Sequence, residues 1–299
     1  MVIATLPMGK EFMRFGEGLV GGSSARLHNR APLGYLRTMS VETVLVTGAS
    51  SGIGLELARC FAADGCRLAL VARKGDALEA LATELRKAHK IQAQVFTADL
   101  AQPETPTRLL AHLQSAGLKV DVLVNNAGFG AQGRFVELPL ARQLEMLQVN
   151  ITSLTHLTRL LLPGMVERHR GGVLNVASTA AFQPGPGMAV YYATKAYVLS
   201  FSEALAEELA GTGVTVTASC PGPTATNFGA AASMKTLGLV KKISMSAELV
   251  ARISHQAFRR GKVVAITGFR NQLPAFLVRL VPRAVVRKIA RRLNNVSHS

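Results

Sequence analysis

Short apolar runs alternate with amphipathic stretches between residues 41 and 268. Seven runs are apolar on both faces: Thr43–Thr47, Arg67–Ala72, Ala93–Ala98, Val120–Asn125, Val173–Ala177, Val214–Ser219 and Val263–Thr267. Helical periods lie between them, most clearly at Gly54–Ala63, Ala77–Ala88 and Tyr191–Ala210. Strands that are apolar on both faces and alternate with helices predict a parallel sheet covered on both sides. Residues 41–268 are therefore expected to form one doubly wound α/β domain.

Residues 1–40 show no sustained hydrophobic period, and we expect them to form a disordered leader. They contain no continuous apolar core of the kind that a secretory signal needs. Four arginines keep a targeting segment open as an alternative, although Glu11 and Glu17 count against it. Met39, just before the first apolar run, is an alternative start residue.

The charge of the chain is concentrated at its ends. The 299 residues carry a formal net charge of +16, yet residues 41–234 hold fifteen basic and fifteen acidic residues. A neutral body argues against an enzyme that acts on nucleic acid. Three cysteines are too few for a disulfide scaffold and fit a cytoplasmic location. No His/Cys cluster has metal-ligand spacing, so no metal site is expected.

A glycine-rich segment, TGASSGIG at residues 47–54, closes the first predicted strand and opens the first predicted helix. Glycines at such a turn let the backbone approach a pyrophosphate, which the helix N-terminus attracts. The segment predicts a Rossmann-type dinucleotide site. Its candidate cofactor-binding residues are Gly48, Ser50, Ser51, Gly52, Ile53 and Gly54.

The end of the second predicted strand bears on which dinucleotide binds. Domains that select NAD usually place an acid there, on the ribose 2′-hydroxyl. This chain has Arg73 followed by Lys74, and a guanidinium can pair with a 2′-phosphate through two hydrogen bonds. We therefore predict NADP as cofactor. NAD stays open as the less favoured choice because Asp76 could instead reach the ribose.

With its Gly-x-x-x-Gly-x-Gly spacing and the motifs that follow, the chain resembles the short-chain dehydrogenase/reductase family over about residues 42–268. The resemblance implies that Asp99 contacts the adenine and that Thr226 contacts the nicotinamide carboxamide. It also implies that the NNAG segment at residues 125–128 lies against the adenosine half and braces the sheet. The cofactor residues added in this way are Asp99, Asn125, Ala127, Gly128, Pro221, Gly222 and Thr226.

The candidate catalytic pair is Tyr191 and Lys195, four residues apart on one face of a predicted helix. Reduction of a carbonyl needs a proton donor, and a nearby ammonium makes a phenol a better acid. Both residues are also expected to contact the cofactor. Ser178 lies thirteen residues before Tyr191, the separation seen in the family, and would hold the substrate oxygen. The next residue, Thr179, is the alternative for this role.

The resemblance also assigns Asn150 to a proton relay, through a water that links Lys195 to solvent, and implies a homodimer or homotetramer. The predicted function is reversible NADP-linked reduction of a carbonyl. An apolar ketone or aldehyde is the favoured substrate because residues 227–244 offer few polar groups. Two rivals stay open. One is a dinucleotide-binding sensor or scaffold without turnover, and the other is a peripheral membrane protein that acts through its tail.

The tail, residues 269–299, mixes basic and apolar residues. Arg279, Arg283 and Arg287 recur at four-residue spacing. Pro274 is expected to start a helix, and Pro282 to break or kink it. A basic amphipathic helix can lie on an anionic membrane surface; it can also cap the substrate pocket or pack at a dimer interface. Nucleic acid is the least favoured partner.

Overall fold

The computed structural model describes residues 41–226, 228–231 and 244–294. The leader and most of residues 227–244, on which the expectation of an apolar substrate depends, therefore lie outside the described residues. The strands are β1 (Thr43–Thr47), β2 (Arg67–Ala72), β3 (Ala93–Thr97), β4 (Val122–Asn125), β5 (Gly171–Val176), β6 (Val214–Cys220), β7 (Thr224–Ala225), β8 (Met245–Ser246) and β9 (Val264–Ile266).

The helices are α1 (Gly52–Ala63), α2 (Gly75–His89), α3 (Thr105–Ser115), α4 (Leu140–Leu147), α5 (Leu154–Glu167), α6 (Ala189–Glu208), α7 (Phe228–Ala231), α8 (Ala247–Arg259), α9 (Phe269–Leu277) and α10 (Arg283–Leu293). A π-helical turn, Gln148–Ser153, joins α4 to α5, and a 3-10 turn, Thr179–Phe182, follows β5. Among the described residues, none of these helices has the length and apolar character needed to cross a bilayer.

Seven strands form one parallel sheet in the order β3-β2-β1-β4-β5-β6-β9. The predicted doubly wound fold is confirmed, and each predicted strand end lies within two residues of the observed one. The strand order reverses between β1 and β4, which lie side by side. Ligands of such sheets bind at this reversal, beyond the carboxyl ends of the strands.

Alternating side chains of each strand feed two cores, one on either face of the sheet. In β1, Val44 and Val46 pack into one core and Leu45 into the other, and all three are fully buried. Period-two alternation produces this division, because successive Cβ atoms point to opposite faces. A sheet fixed on both faces holds its strand ends, and the loops that leave them, in place.

The start of the tail corrects one expectation. Pro274 does not start a helix but is the sixth residue of α9. The helix begins earlier because Gly268, with φ of +82°, turns the chain, and the Asn271 side chain donates a hydrogen bond to Thr267 O (2.7 Å). Pro274 is exposed, so water can reach the carbonyl that loses its partner. The predicted break at Pro282 is confirmed, since α10 begins at Arg283.

Candidate active site

The loop between β1 and α1 has the backbone geometry of an anion cradle. Gly48 and Gly52 have φ of +66° and +58°, a region that favours glycine. A Cβ on Gly48 would lie 2.8 Å from Asn126 Nδ2, so a side chain there would push the loops apart. Ser51 caps α1 without a side-chain hydrogen bond, which leaves the first amides of the helix directed to a ligand.

The loops that follow β1 and β4 are tied together by hydrogen bonds. The Thr47 hydroxyl accepts from the backbone N–H of Asn126 (3.0 Å) and of Ala127 (3.1 Å), and donates to Val124 O (3.0 Å). The Asn126 amide donates in return to Thr47 O (2.9 Å) and Gly48 O (3.2 Å). The two loops therefore form one continuous wall of the cleft.

Two predicted cofactor residues lie beneath this wall rather than on it. Asn125 is buried in the sheet, where its amide donates to Thr158 Oγ1 (3.0 Å) and Asn175 Oδ1 (2.9 Å). Gly54 is also buried, and a Cβ there would collide with Gly48 O and the Asn126 amide. Both residues shape the loops from inside. Asn126, which belongs to the predicted NNAG segment but is not among the candidate cofactor residues, lines the cleft in their place.

The far end of the cleft is basic. Arg73 and Lys74 follow β2 and line it, together with Ser50 and Ser51. The Arg73 guanidinium is 66% exposed and lies 3.8 Å from Glu145 Oε1, which is a weak surface pair. Asp99 lines the cleft too, while its carboxylate accepts from the backbone N–H of Ala101 (3.0 Å) and so holds its turn.

At the other end, α6 brings Tyr191 and Lys195 to the carboxyl end of β5. The Lys195 ammonium donates to Val176 O (2.7 Å) and lies 5.9 Å from the centre of the Tyr191 ring. The Ser178 hydroxyl is within hydrogen-bonding reach of the Tyr191 phenol, which favours Ser178 over Thr179. Three side chains suited to hold and protonate an oxygen therefore meet at one point.

Burial shifts both titrating groups of this cluster towards their neutral forms. It raises the pKa of Tyr191 to about 12, although the hydrogen bond from Ser178 acts in the opposite direction. It lowers the pKa of Lys195 to about 8. The phenol is consequently protonated at neutral pH and can act as a proton donor, while the lysine titrates close to the working range of an enzyme.

Asn150 lies beside this pair, in the π-helical turn. Its amide donates to Phe129 O and to Thr194 Oγ1 (3.0 Å each), and its carbonyl accepts from Phe129 N (3.1 Å). A Cβ on Gly128 would lie 3.0 Å from Asn150 Oδ1 and 3.5 Å from Lys195 Nζ. The structure thus brings Asn150 and Lys195 together across a glycine, and the relay through a water stays a prediction.

The segment after β6 closes the cleft over the phosphate loop. Pro221 O accepts from Ser178 Oγ (3.3 Å), which ties this segment to the catalytic end. The Thr226 methyl carbon would lie 3.1 Å from a Cβ on Gly52, so Thr226 reaches across the cleft. Its hydroxyl accepts from Phe228 N (3.2 Å). The predicted Pro-Gly-x-x-x-Thr segment therefore spans from Ser178 to the start of α1.

These parts line one cleft of about 1320 Å³. Of the predicted site residues, all line it except Gly54, Asn125 and Asn150. The cleft also contains residues that sequence reasoning missed: Gln183, Met188, Phe228 and Asn294. The Phe228 ring lies 5.3 Å from the Tyr191 ring, which makes the wall beside the phenol apolar.

Asn294 comes from the far end of the tail. Its side-chain amide donates a hydrogen bond to Pro186 O (2.9 Å). Its backbone carbonyl accepts a hydrogen bond from the side-chain amide of Gln132 (3.0 Å). It also hydrogen-bonds Tyr192, the residue that follows Tyr191. Residue 294 of the tail therefore forms part of the cleft wall. No local motif signals this contact, because it joins positions 108 and 162 residues apart.

A model of the short chain dehydrogenase family matches residues 42–236, which contain the glycine-rich loop and the cluster of Ser178, Tyr191 and Lys195. The chain belongs to the short-chain dehydrogenase family. It is accordingly an oxidoreductase that acts on CH–OH groups and their carbonyl counterparts, and a nicotinamide dinucleotide is its cofactor type.

Known members of this short-chain dehydrogenase family are similar over much of the chain. A Streptomyces coelicolor protein with the provisional name ketoacyl reductase is 40% identical over 62% of this chain and 72% of its own length. The human very-long-chain 3-oxoacyl-CoA reductase is 34% identical over 60% of this chain, and the match spans 58% of the human enzyme. A Sphingobium yanoikuyae short-chain dehydrogenase, solved with NADPH, has a TM-score of 0.72 at 32% identity and covers 82% of this chain and 98% of that one.

Proposed function

We propose that this short-chain dehydrogenase is an NADP-linked carbonyl reductase for apolar ketones, with Tyr191 as proton donor. One observation carries the proposal. Ser178, Tyr191 and Lys195 meet at strand carboxyl ends, in the same cleft as the glycine-rich phosphate loop. A scaffold without turnover has no need of a proton donor, an oxygen-binding hydroxyl and a buried ammonium at the end of a dinucleotide cleft.

The described residues fit a dinucleotide along the length of the cleft. Gly48, Ser50, Ser51 and Gly52 line the cleft at the start of α1, where backbone amides and the helix N-terminus suit a pyrophosphate. At the adenosine end, Arg73 and Lys74 line the cleft and Asp76 does not, which favours a 2′-phosphate over a bare ribose. When bound, the cofactor supplies the hydride for reduction and accepts it for oxidation.

The protein residues then handle the oxygen and the proton. Ser178 and Tyr191 both donate hydrogen bonds to the carbonyl oxygen, which polarises the C=O bond. As the carbon receives hydride, the bonding pair of the C=O π bond moves to oxygen, and that oxygen takes the Tyr191 proton. The phenolate left behind is stabilised by the Lys195 ammonium. In the proposed relay, Lys195 returns a proton to the phenol and is reprotonated from solvent through a water held by Asn150. Oxidation of an alcohol runs the same steps backwards.

The wall near the phenol supports an apolar substrate. Met188 is buried, and Phe228 packs against the Tyr191 ring. Gln183 and Asn294, which both hydrogen-bond Tyr192, add polar groups to this part of the cleft. A ketone with an acyl or aryl substituent fits this distribution, and the names of the ketoacyl and 3-oxoacyl-CoA reductases point to the same class.

The proposal is tested by NADPH oxidation with a medium-chain 3-oxoacyl thioester and a methyl alkyl ketone of similar length. We expect turnover with at least one, and kcat/KM at least about tenfold above that for acetone, since each buried methylene contributes about 0.8 kcal/mol. Tight NADPH binding without oxidation by any carbonyl would refute the reductase and favour the sensor.

Asn294→Ala is expected to raise KM for the carbonyl substrate about threefold to tenfold and to leave the NADPH dissociation constant unchanged. Loss of the side-chain amide removes the hydrogen bonds to Pro186 and Tyr192, each of which contributes about 0.5–1.5 kcal/mol. Steady-state kinetics and NADPH fluorescence separate the two effects. Val285→Ala, on the exposed side of α10, the helix that ends directly before Asn294, is the matched control. A change confined to NADPH affinity would contradict the placement of Asn294 at the substrate end.

A further inference from the structure

The C-terminal tail carries an apolar surface that the described core leaves uncovered. Within residues 269–294, eight large apolar side chains are 44–81% exposed. We call them the tail apolar face: Phe269, Leu273, Phe276, Leu277, Leu280, Val285, Ile289 and Leu293. Single exposed apolar side chains are ordinary, but such a series along two consecutive helices marks a surface that binds something.

On α10, the exposed apolar residues are separate from the buried ones. Val286 and Ala290 are buried and hold the helix to the body. Val285, Ile289 and Leu293 follow each other at four-residue spacing and form an exposed row beside that buried strip. The helix is therefore apolar over more of its circumference than its packing uses.

The same helices carry only positive charge. Residues 269–294 contain seven basic residues and no acidic one. The basic residues are Arg270, Arg279, Arg283, Arg287, Lys288, Arg291 and Arg292. A partner that fits this surface is consequently anionic at its boundary and apolar beneath it.

An anionic lipid bilayer has both properties, whereas the other candidate partners have one. A second copy of the chain would place seven like charges opposite seven more across a two-fold interface, and that repulsion opposes association. Nucleic acid would match the charge but offers no apolar phase for Leu273, Leu280 or Ile289. Basic residues interleaved with large apolar ones are typical of helices that lie in the plane of a membrane interface.

We infer that the tail apolar face and its basic residues bind an anionic membrane surface, with α9 and α10 lying along the headgroups. The inference is independent of the proposed carbonyl chemistry. Leu293 of this face directly precedes Asn294, which lines the cleft. The bound bilayer would therefore lie close to the cleft wall at Asn294.

The test is co-flotation of the full chain with vesicles of phosphatidylcholine alone or of phosphatidylcholine mixed with phosphatidylglycerol. We expect binding at least about tenfold stronger to the mixed vesicles, weakened by salt. Two triple variants, Leu273→Ser/Phe276→Ser/Leu280→Ser and Arg287→Gln/Lys288→Gln/Arg292→Gln, should each lose about tenfold or more. Leu140→Ser/Leu144→Ser, which removes exposed leucines from α4, is the matched control and should float like the parent.

Thermal melting and NADPH binding establish that each variant is folded. Equal recovery with the two kinds of vesicle, or equal loss in the α4 control, would overturn the inference. Sedimentation velocity gives a further check. If the chain failed to float and the Leu273→Ser/Phe276→Ser/Leu280→Ser variant dissociated an oligomer, the tail apolar face would bind a second copy of the chain. That result would also overturn the inference.

Discussion

Tyr191→Phe is expected to lower kcat for carbonyl reduction about 10²–10⁴-fold while the NADPH dissociation constant changes little. Phenylalanine keeps the ring that packs against Phe228 and removes only the proton donor. Because burial raises the pKa of Tyr191 to about 12, the wild-type phenol holds its proton throughout the neutral range. The variant has no O–H to replace it beside Ser178.

The matched control is Tyr197→Phe on the same helix. That hydroxyl hydrogen-bonds Thr155 (2.9 Å), and its ring stacks on Phe201, outside the cleft. Single-turnover oxidation of NADPH separates the chemical step from binding and release. If Tyr191→Phe and Tyr197→Phe slowed that step to a similar extent, the loss would be structural and Tyr191 would not be the proton donor.

Arg73→Glu is expected to weaken NADPH binding about 10²–10³-fold and to leave NADH binding unchanged or stronger. A charged hydrogen-bonded contact is worth about 1.5–3 kcal/mol, and the new carboxylate would also repel a 2′-phosphate. Freeing Arg73 from Glu145 costs little, because the 3.8 Å pair is exposed. Fluorescence titration with each cofactor measures the preference directly.

Lys87→Glu, a charge reversal on the exposed side of α2, is the control for a general change in surface potential. An equal loss of NADPH and NADH affinity in Arg73→Glu would mean that the residue supports the loop rather than the 2′-phosphate. Unchanged affinity for both would place the selectivity elsewhere in the cleft. Either result would leave the catalytic assignment intact, since Arg73 and Tyr191 line opposite ends of the cleft.

The sheet and the main site residues follow from local sequence because their signals are local. A strand buried on both faces must be apolar throughout, as in β1. A glycine-rich turn between a strand and a helix is typical of a phosphate-binding loop. The four-residue spacing of Tyr191 and Lys195 fixes them on one face of α6 without knowledge of the rest of the chain. Ser178 joins them because β5 ends beside α6.

What the sequence does not supply is the direction in which neighbouring side chains point. Asn125 and Asn126 look equivalent in the sequence. Because side chains alternate between the two faces along β4, Asn125 lies in the core, whereas Asn126 lies beyond the end of the strand. Asn294 is harder still, because its partners Gln132 and Pro186 are brought to it only by the packing of the complete fold. Pro274 was misplaced because a turn at Gly268, outside the proline's own neighbourhood, decides where α9 begins.

The hydrogen bonds between Thr47 and Asn126 have a consequence for the thermodynamics of cofactor capture. They join the loops after β1 and β4 through the protein's own backbone and side chains. The conformational entropy of ordering these loops is lost when the chain folds, so it does not have to be lost again on association. Association at this wall can therefore proceed as the docking of a flexible dinucleotide onto a rigid template, with most of the ordering on the side of the ligand.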